Sequence, residues 1–291
     1  MAKEAWGRWG EQDEVGAPNL IGPSQVRLAA SLVRTGQVIS LAQPISDRLP
    51  VPGHRAGLLH FMGRDGGDYA AGAKRPGGFQ FAEDTVVLPL HLGTHMDALC
   101  HAWCDDHLYN GFPGSTVRST TRALRCGVEK MPPLVTRGVL LDFVRLRGEI
   151  AKPGETIGKS ELQEAASASG LVLQDGDAVL IRTGWLESQD ASRGVNFNEE
   201  PGIDVEAATW LAESGAAMVG ADNFAIEVLP FPTGTVFPVH QRLIRDYGIP
   251  LLEGLVLRAL GEAGATEFLF VAAPLPIVGG TGSPVAPVAV L

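Results

Sequence analysis

Short apolar runs, bounded by polar, glycine or proline residues, recur along this chain and predict alternating strands and helices. Runs too short for a helix and rich in β-branched residues predict strands, and longer amphipathic segments predict helices. The predicted strands are 38–42, 85–90, 138–143, 177–182, 216–219 and 267–272. The predicted helices are 25–34 with Ser24 as its cap, 160–169, a helix from its cap Asp204 through Ala212, and 239–246. This alternation favours a mixed α/β fold.

The strand predicted at 85–90, which we expect to be buried, leads directly into the run LHLGTHMDALCH. This run places His91, His95, Asp97 and His101 within eleven positions, although the whole chain has seven histidines. A single histidine is ordinarily a satisfied polar group. Several buried polar groups together would each need a separate partner. The concentration therefore favours a catalytic metal site over a set of structural side chains.

The backbone must bend for these side chains to share one ion. Six residues of straight strand cover roughly 20 Å, whereas the ligands of one metal lie within a few ångströms of each other. Gly93 supplies the conformational freedom for such a bend, and the Thr94 hydroxyl could hold the turn. Two imidazoles and a carboxylate form a mixed nitrogen and oxygen set that suits Zn(II), Mn(II) or Fe(II) with positions left open for water or substrate.

Polar residues near the ends of later elements form a second group of candidates. Asp222 follows a short apolar strand, where α/β proteins often carry a functional carboxylate, and it could equally cap the next turn. His240 begins the predicted helix HQRLIRDYG and is either a site residue or a polar residue at a helix start. Glu253 lies in an apolar run, where an unpaired carboxylate is costly, so a metal, a histidine or an arginine must satisfy it. Glu227 is predicted to lie on the surface. The candidate arginine partners of Glu253 are Arg182 and Arg242.

Aromatic residues could supply apolar walls for a substrate pocket. Trp103 is the favoured wall residue because it lies two positions after His101, and the loop 107–110 could complete that wall. The loop 279–284 is glycine-rich but has no phosphate-loop lysine, and Pro284 blocks the usual following helix. We therefore expect this loop to line or close the pocket. The other candidate wall residues are Trp6, Trp9 and Trp185.

Composition narrows the class of protein. The formal net charge of -10 argues against binding a phosphate backbone. No apolar stretch approaches the roughly 20 residues of a membrane span, and the charged, aromatic N-terminus does not resemble a signal peptide. Three cysteines do not make a disulfide framework, so a reducing, cytoplasmic setting is predicted. Without a linker or repeat, the 291 residues are predicted to form one domain, 1–291.

The pattern H-x-G-T-H-x-D-x-x-x-H resembles the motif of the cyclase family of metal-dependent hydrolases, which includes bacterial kynurenine formamidases and isatin hydrolases. The likeness extends over nearly the full length of the chain. It includes the opening segment 9–21, the elements around Asp222, His240 and Glu253, and the closing loop 279–284. The chain departs from the family at Leu99, where proline is common, and this position bears on the substrate wall.

The resemblance implies a swivelling β/β/α fold with a β-barrel-like core surrounded by helices. By position it implies metal ligands at His91, His95 and Asp97, with His101 as the catalytic acid/base. In two-metal members, the equivalents of His240 and Glu253 help to hold a second ion and Asp97 bridges. His240 could instead assist His101 in proton transfer.

The function predicted from these residues is hydrolysis of an amide, lactam or lactone bond in a small substrate by water activated on Zn(II) or Mn(II). The large segment between Gly53 and Glu83 favours a cyclic or aromatic substrate. Kynurenine formamidase activity is the main alternative. A non-haem Fe(II) oxygenase using His95, Asp97 and His240, or a binding protein that retains metal without turnover, are further hypotheses. A homo-oligomer, dimer or tetramer, is expected.

Overall fold

The structure is a computed structural model and describes residues 5–73, 75–189 and 195–291. Its strands are β1 (Val38–Ser40), β2 (Leu59–Arg64), β3 (Glu83–Val87), β4 (His95–Asp97), β5 (Val117–Arg118), β6 (Arg122–Ala123), β7 (Leu134–Asp142), β8 (Thr156–Ile157), β9 (Asp177–Arg182), β10 (Gly202–Ile203), β11 (Ala216–Ala221), β12 (Leu251–Glu253), β13 (Glu267–Ala272), β14 (Gly282–Pro284) and β15 (Val288–Val290). The α-helices are α1 (Pro23–Ser31), α2 (Gly66–Ala70), α3 (Phe143–Arg147), α4 (Lys159–Ala168), α5 (Trp185–Ser188), α6 (Val205–Glu213), α7 (Pro238–His240) and α8 (Arg258–Glu262).

Within the described residues, nine strands form one curled sheet in the order β1-β15-β13-β7-β9-β11-β12-β4-β14. Strands β7, β9, β11 and β12 run parallel, and the strands on either side pair antiparallel. Every residue of β9 and β11 is buried, so these strands form the centre of the core. This mixed α/β half-barrel with helices around it confirms the predicted fold class.

Several predicted elements occur where the apolar pattern placed them. Strands β9 and β13 have the predicted bounds. Residues 138–142 of the predicted strand 138–143 form the second half of β7, and Phe143 begins α3. Asp204 caps α6 by accepting a hydrogen bond from the backbone N–H of Ala207 at 2.8 Å. The cap predicted for α1 is wrong, because this helix begins at Pro23 after Gly22 and makes Ser24 an internal residue. Proline is favoured in the first helical turn, where it has no N–H to satisfy.

The strand predicted at 85–90 is present over 85–87, but the prediction that it is buried is wrong. Strand β3 ends at Val87 and, among the described residues, pairs only with β2, in a hairpin that leaves both of its faces in solvent. Val86 and Val87 are about half exposed, at 50% and 56%. The β-branched residues favour an extended chain, but no other element of the described structure covers them.

The predicted helix 239–246 is divided into two pieces. A single α-helical turn, α7, continues as a π-helix over Gln241–Asp246. Such π-helical segments are rare and occur frequently at functional sites. His240 lies at the junction of the two pieces and is buried. Within the described residues, every helix falls short of the length and apolarity needed to cross a bilayer.

Candidate metal centre

The histidine-rich motif folds into a turn followed by the short strand β4. Gly93 has a φ of +61°, which disfavours other residues, and a β-carbon there would lie 2.9 Å from Leu49. The Thr94 hydroxyl donates to the carbonyl of Gly254 at 2.7 Å and accepts from the backbone N–H of Gln43 at 2.9 Å. The bend at Gly93 and the support from Thr94 therefore have the roles expected from the sequence.

Strand register brings the motif to a carboxylate that is distant in the sequence. In the antiparallel pair β4–β12, His95 lies opposite Glu253, and Asp97 lies opposite Leu251. His95 Nδ1 bonds the carbonyl of Gly93 at 2.9 Å, which directs Nε2 toward Glu253 Oε2, 3.1 Å away. Glu253 Oε1 lies 3.2 Å from His240 Nε2. Both carboxylate oxygens of Glu253 therefore face imidazole nitrogens, and the arginine alternative is wrong. Arg182 pairs with Asp142 and Glu187 instead, and Arg242 pairs with Asp246.

Asp97 lies at the centre of the imidazoles. Its Oδ1 bonds His91 Nδ1 at 2.7 Å and lies 3.6 Å from His95 Nε2. Its Oδ2 lies 3.6 Å from His240 Nε2 and 3.9 Å from His101 Nε2. Two groups of possible metal ligands share this carboxylate, and within each group the ligand atoms lie within 4.8 Å of one another. The groups are His91, Asp97 and His101, and His95, Asp97 and Glu253.

The closing loop supports His91 from the other side. The Thr281 hydroxyl lies 3.0 Å from His91 Nε2, so both imidazole nitrogens of His91 have a partner. A β-carbon at Gly282 would lie 2.6 Å from His91 Cε1 and 2.7 Å from the carbonyl of Met96. Strand β14 can therefore lie beside β4 at this position only with glycine, which explains one glycine of the loop predicted to close the site.

Glu227, predicted to be on the surface, is a buried residue of the site. It is 1% exposed, and its Oε1 accepts from His240 Nδ1 at 2.7 Å and from the His240 backbone N–H at 3.0 Å. Its Oε2 accepts from the backbone N–H of Val239 at 3.1 Å. These contacts fix the ring of His240 with Nε2 toward Asp97 and Glu253. Glu227 lies in the apolar run AIEVLP, so the burial-cost argument applied to Glu253 would have identified it too.

Charge interactions within the cluster are strong because the groups are buried. Burial raises the pKa of Asp97, but the imidazoles of His101 and His91 lower it by more, so its pKa is well below the usual value. Burial lowers the pKa of His95, yet Glu253 more than offsets this and raises it. Burial lowers the pKa of His101 to about 4, despite the opposing effect of Asp97. Both Asp97 and His101 are therefore in their metal-binding or proton-accepting forms at neutral pH.

Three buried atoms at the centre of the cluster have no hydrogen-bond partner among the described residues. They are His95 Nε2, Asp97 Oδ2 and Glu253 Oε1. Unpartnered buried polar atoms are uncommon in folded proteins, because each costs the free energy of its desolvation. A nitrogen and two carboxylate oxygens aimed into one space are ligands suited to a divalent cation. The residues present therefore fit a metal ion.

A cavity of about 190 Å³ adjoins this cluster. His91, His95 and Glu253 form its polar end, and Gln43, Arg55 and Asn223 also line it. Its remaining wall is largely apolar and aromatic, and includes Leu49, Pro50, Val51, Pro52, Leu92, Trp185, Leu186, Val195, Phe197 and Phe224. The polar cluster thus lies at one side of a pocket of suitable character for a small, largely apolar molecule.

Two predicted pocket residues lie elsewhere. Trp103 is 39% exposed and packs on Gly114, where a β-carbon would lie 2.7 Å from its Nε1, and it does not line the cavity. Trp185 is the tryptophan that lines the cavity.

Asp222 is fully buried and accepts hydrogen bonds from Thr183 N and Oγ1 and from Gly184 N at 2.7–2.8 Å. Burial raises the pKa of Asp222 to about 6, although these hydrogen bonds oppose the shift. Asp222 therefore fixes the turn that carries Trp185 into the cavity wall.

The fold is that of a recognised class of proteins. Residues 39–228 match the family model described as "Putative cyclase", and the chain belongs to this cyclase family. A crystal structure described as a novel cyclase is 37% identical, covers 99% of this chain and 97% of its own, and superposes with a TM-score of 0.91. No curated protein sequence matches the chain.

More distant structures share the fold. Isatin hydrolase A from Labrenzia aggregata, bound to benzyl benzoate, is 21% identical over 90% of this chain and 95% of its own, with a TM-score of 0.66. A predicted metal-dependent hydrolase from Bacillus stearothermophilus is 22% identical over 87% of this chain and 97% of its own, with a TM-score of 0.58.

Proposed function

We propose that this protein is a metal-dependent hydrolase that cleaves an amide, lactam or lactone bond in a small cyclic or aromatic substrate. The observation that carries the proposal is the set of three unpartnered buried atoms, from His95, Asp97 and Glu253, beside a largely apolar cavity. The structural likeness to an isatin hydrolase and to a predicted metal-dependent hydrolase supports this class of reaction.

His95, Asp97 and Glu253, whose unpartnered atoms lie together, would hold the principal ion, Zn(II) or Mn(II), with His91 beside Asp97 as the further ligand predicted from the sequence. His240, whose Nε2 lies 3.2 Å from Glu253 Oε1, would complete its ligands or help to hold a second ion. When bound, such a cation lowers the pKa of water and polarises a substrate carbonyl. The protein's own contribution is to orient these nitrogen and oxygen ligands, most of them buried, through Gly93, Glu227 and the register of β4 with β12.

His101 is the proposed general acid/base. Among the four histidines of the cluster, His101 has the most exposed side chain, at 27%, so its ring can exchange protons with substrate and solvent. With a pKa near 4 it is neutral at pH 7 and can accept a proton. Asp97 Oδ2, 3.9 Å away, would stabilise the imidazolium that forms, and the proton would then go to the leaving group.

The cavity favours a planar, compact substrate. Trp185, Phe197 and Phe224 provide aromatic surface, and the remaining apolar wall excludes water from the reacting bond. Cyclic amides and lactones meet this requirement with little conformational freedom to lose on binding. N-formyl aryl amides, the substrates of the kynurenine formamidase alternative, also fit this description.

The test is turnover of a panel of lactam, lactone and N-formyl aryl amide substrates by protein of measured metal content. We expect hydrolysis of at least one class, abolished by a chelator and restored by Zn(II) or Mn(II). His101→Ala should lower turnover about 10²- to 10⁴-fold while metal is retained. His60→Ala is the matched control, because His60 lies in the exposed hairpin and its one ion-pair partner among the described residues is Asp84. Near-normal turnover by His101→Ala would refute its role, and product that requires oxygen would support the Fe(II) oxygenase hypothesis instead.

A further inference from the structure

Among the residues that the structure describes, one arginine lines the substrate cavity, and it has no charged partner there. Arg55 lines the cavity and donates from Nη1 to the backbone carbonyl of His91 at 2.7 Å. Its guanidinium carbon lies 5.2 Å from the centre of the Phe224 ring. These two contacts fix the position and plane of the guanidinium, and they leave most of its five N–H donors unused.

The buried arginines of the described residues are ion-paired. Arg137 forms a two-point contact with Asp177, at 2.9 and 2.7 Å, and Arg182 pairs with Asp142 and Glu187. Arg245 pairs with Asp246 at 2.9 Å. Arg55 is half-buried, and among the described residues no carboxylate lies within ion-pair distance of it. A guanidinium held in an aromatic pocket without an anion is a ready site for one, because its paired N–H groups match the two oxygens of a carboxylate.

We propose that Arg55 binds a carboxylate of the substrate, so that the substrates are small aromatic or cyclic amides or esters carrying an anionic group. This inference rests on the proposed hydrolase function and adds the substrate's charge to it. His91 contributes its imidazole to the metal cluster and its carbonyl to Arg55. The carboxylate would therefore lie close to the bond that is cleaved, with the ring of the substrate against Phe224 and Trp185.

Ligand binding tests this inference independently of turnover. The probes are positional isomers of carboxy-2-oxindole and the matching carboxamides, which have nearly the same shape but no charge. Their affinity for metal-loaded protein is measured by calorimetry or by the fluorescence of the tryptophans. Arg55→Met should weaken binding of the best carboxylate about 10- to 100-fold, the range for a hydrogen bond to a charged group, while the carboxamide changes less than about three-fold. Arg55→Lys should restore part of the carboxylate affinity, since it keeps the charge and loses the two-point geometry.

Two controls separate this role from a structural one. Arg48→Met removes the same charge from an exposed site in the same segment and should leave the affinities unchanged. The metal content of Arg55→Met reports whether His91 has moved. The inference is overturned if the carboxylate and carboxamide lose affinity equally, if metal is lost, or if no carboxylate isomer binds more tightly than its carboxamide. Charge-selective binding without hydrolysis of any panel substrate would overturn the proposed function and leave the anion site in place.

Discussion

Replacing Glu227 by Gln should loosen His240 and weaken the metal centre. The carboxylate accepts three hydrogen bonds, from His240 Nδ1, the His240 backbone N–H and the Val239 backbone N–H, at 2.7–3.1 Å. Glutamine has one acceptor oxygen, so its amide nitrogen must face at least one of these buried donors. An unsatisfied buried donor costs about 1–3 kcal/mol, and we expect a loss of this size in the free energy of unfolding.

The same change should reduce metal affinity, because Glu227 orients His240 toward Asp97 and Glu253. Loss of a partner that orients a ligand typically costs about 10- to 100-fold in metal affinity. Stability is measured by urea denaturation of metal-free protein, and affinity by competition with a chromogenic chelator. Glu262→Gln, at an exposed position on α8, is the matched control and should change neither quantity. An unfolding free energy within about 0.5 kcal/mol of the unmodified protein, together with unchanged metal affinity, would refute this role for Glu227.

Three further substitutions test the fold around the site. Arg137→Met leaves Asp177 buried without its ion-pair partner and should cost about 3–5 kcal/mol of unfolding free energy, measured by urea denaturation. Burial raises the pKa of Asp222 from 3.8 to about 6, so between these pH values the folded protein keeps a proton on Asp222 that the unfolded chain loses. The free energy of unfolding should therefore fall, by up to about 3 kcal/mol, as the pH rises from about 4 to about 6. Asp222→Asn should flatten this dependence of stability on pH. Gly282→Ala would place a methyl group against His91 and should lower the bound metal per chain, measured by elemental analysis.

The outcomes that contradict these expectations are specific. An Arg137→Met protein as stable as the unmodified chain would mean that the buried pair contributes little. An unchanged pH slope in Asp222→Asn would assign the titration to another group, such as the buried Glu200, whose pKa burial also raises. Full metal content in Gly282→Ala would show that β14 can shift; Gly66→Ala, which meets no atom within 4 Å, is the control.

The local part of the candidate site can be predicted from the sequence because its residues are close together in the chain. His91, His95, Asp97 and His101 require only one bend, and Gly93 indicates where that bend lies. The fold class followed from the alternation of apolar runs together with the family resemblance. The approach of Glu253 to His95 depends on the pairing of β4 with β12, and periodicity does not determine which strands pair.

The errors have a common physical origin in packing between distant segments. The run 85–90 has strand propensity, but propensity does not show whether another element covers it. Proximity in sequence to His101 favoured Trp103, whereas the turn held by Asp222 places Trp185 in the cavity. Arg55 lies in an irregular segment with no motif, and only its position beside Phe224 and His91 makes it a candidate.

The predicted homo-oligomer stays a prediction, and light scattering of the purified protein would test it. The hairpin of β2 and β3 exposes Leu59, Phe61, Val86 and Val87, and an isolated two-stranded hairpin is only marginally stable in water. A second copy covering this hairpin is the expected arrangement. A monomer at all concentrations would contradict it.

The most direct measurement of the central claim is a crystal structure of metal-loaded protein with anomalous diffraction data at the zinc and manganese absorption edges. We predict an anomalous peak within coordination distance of His95 and Asp97, with His91 or Glu253 completing the set. Loaded crystals without a peak in this cluster, or with a peak bound by other residues, would contradict the account.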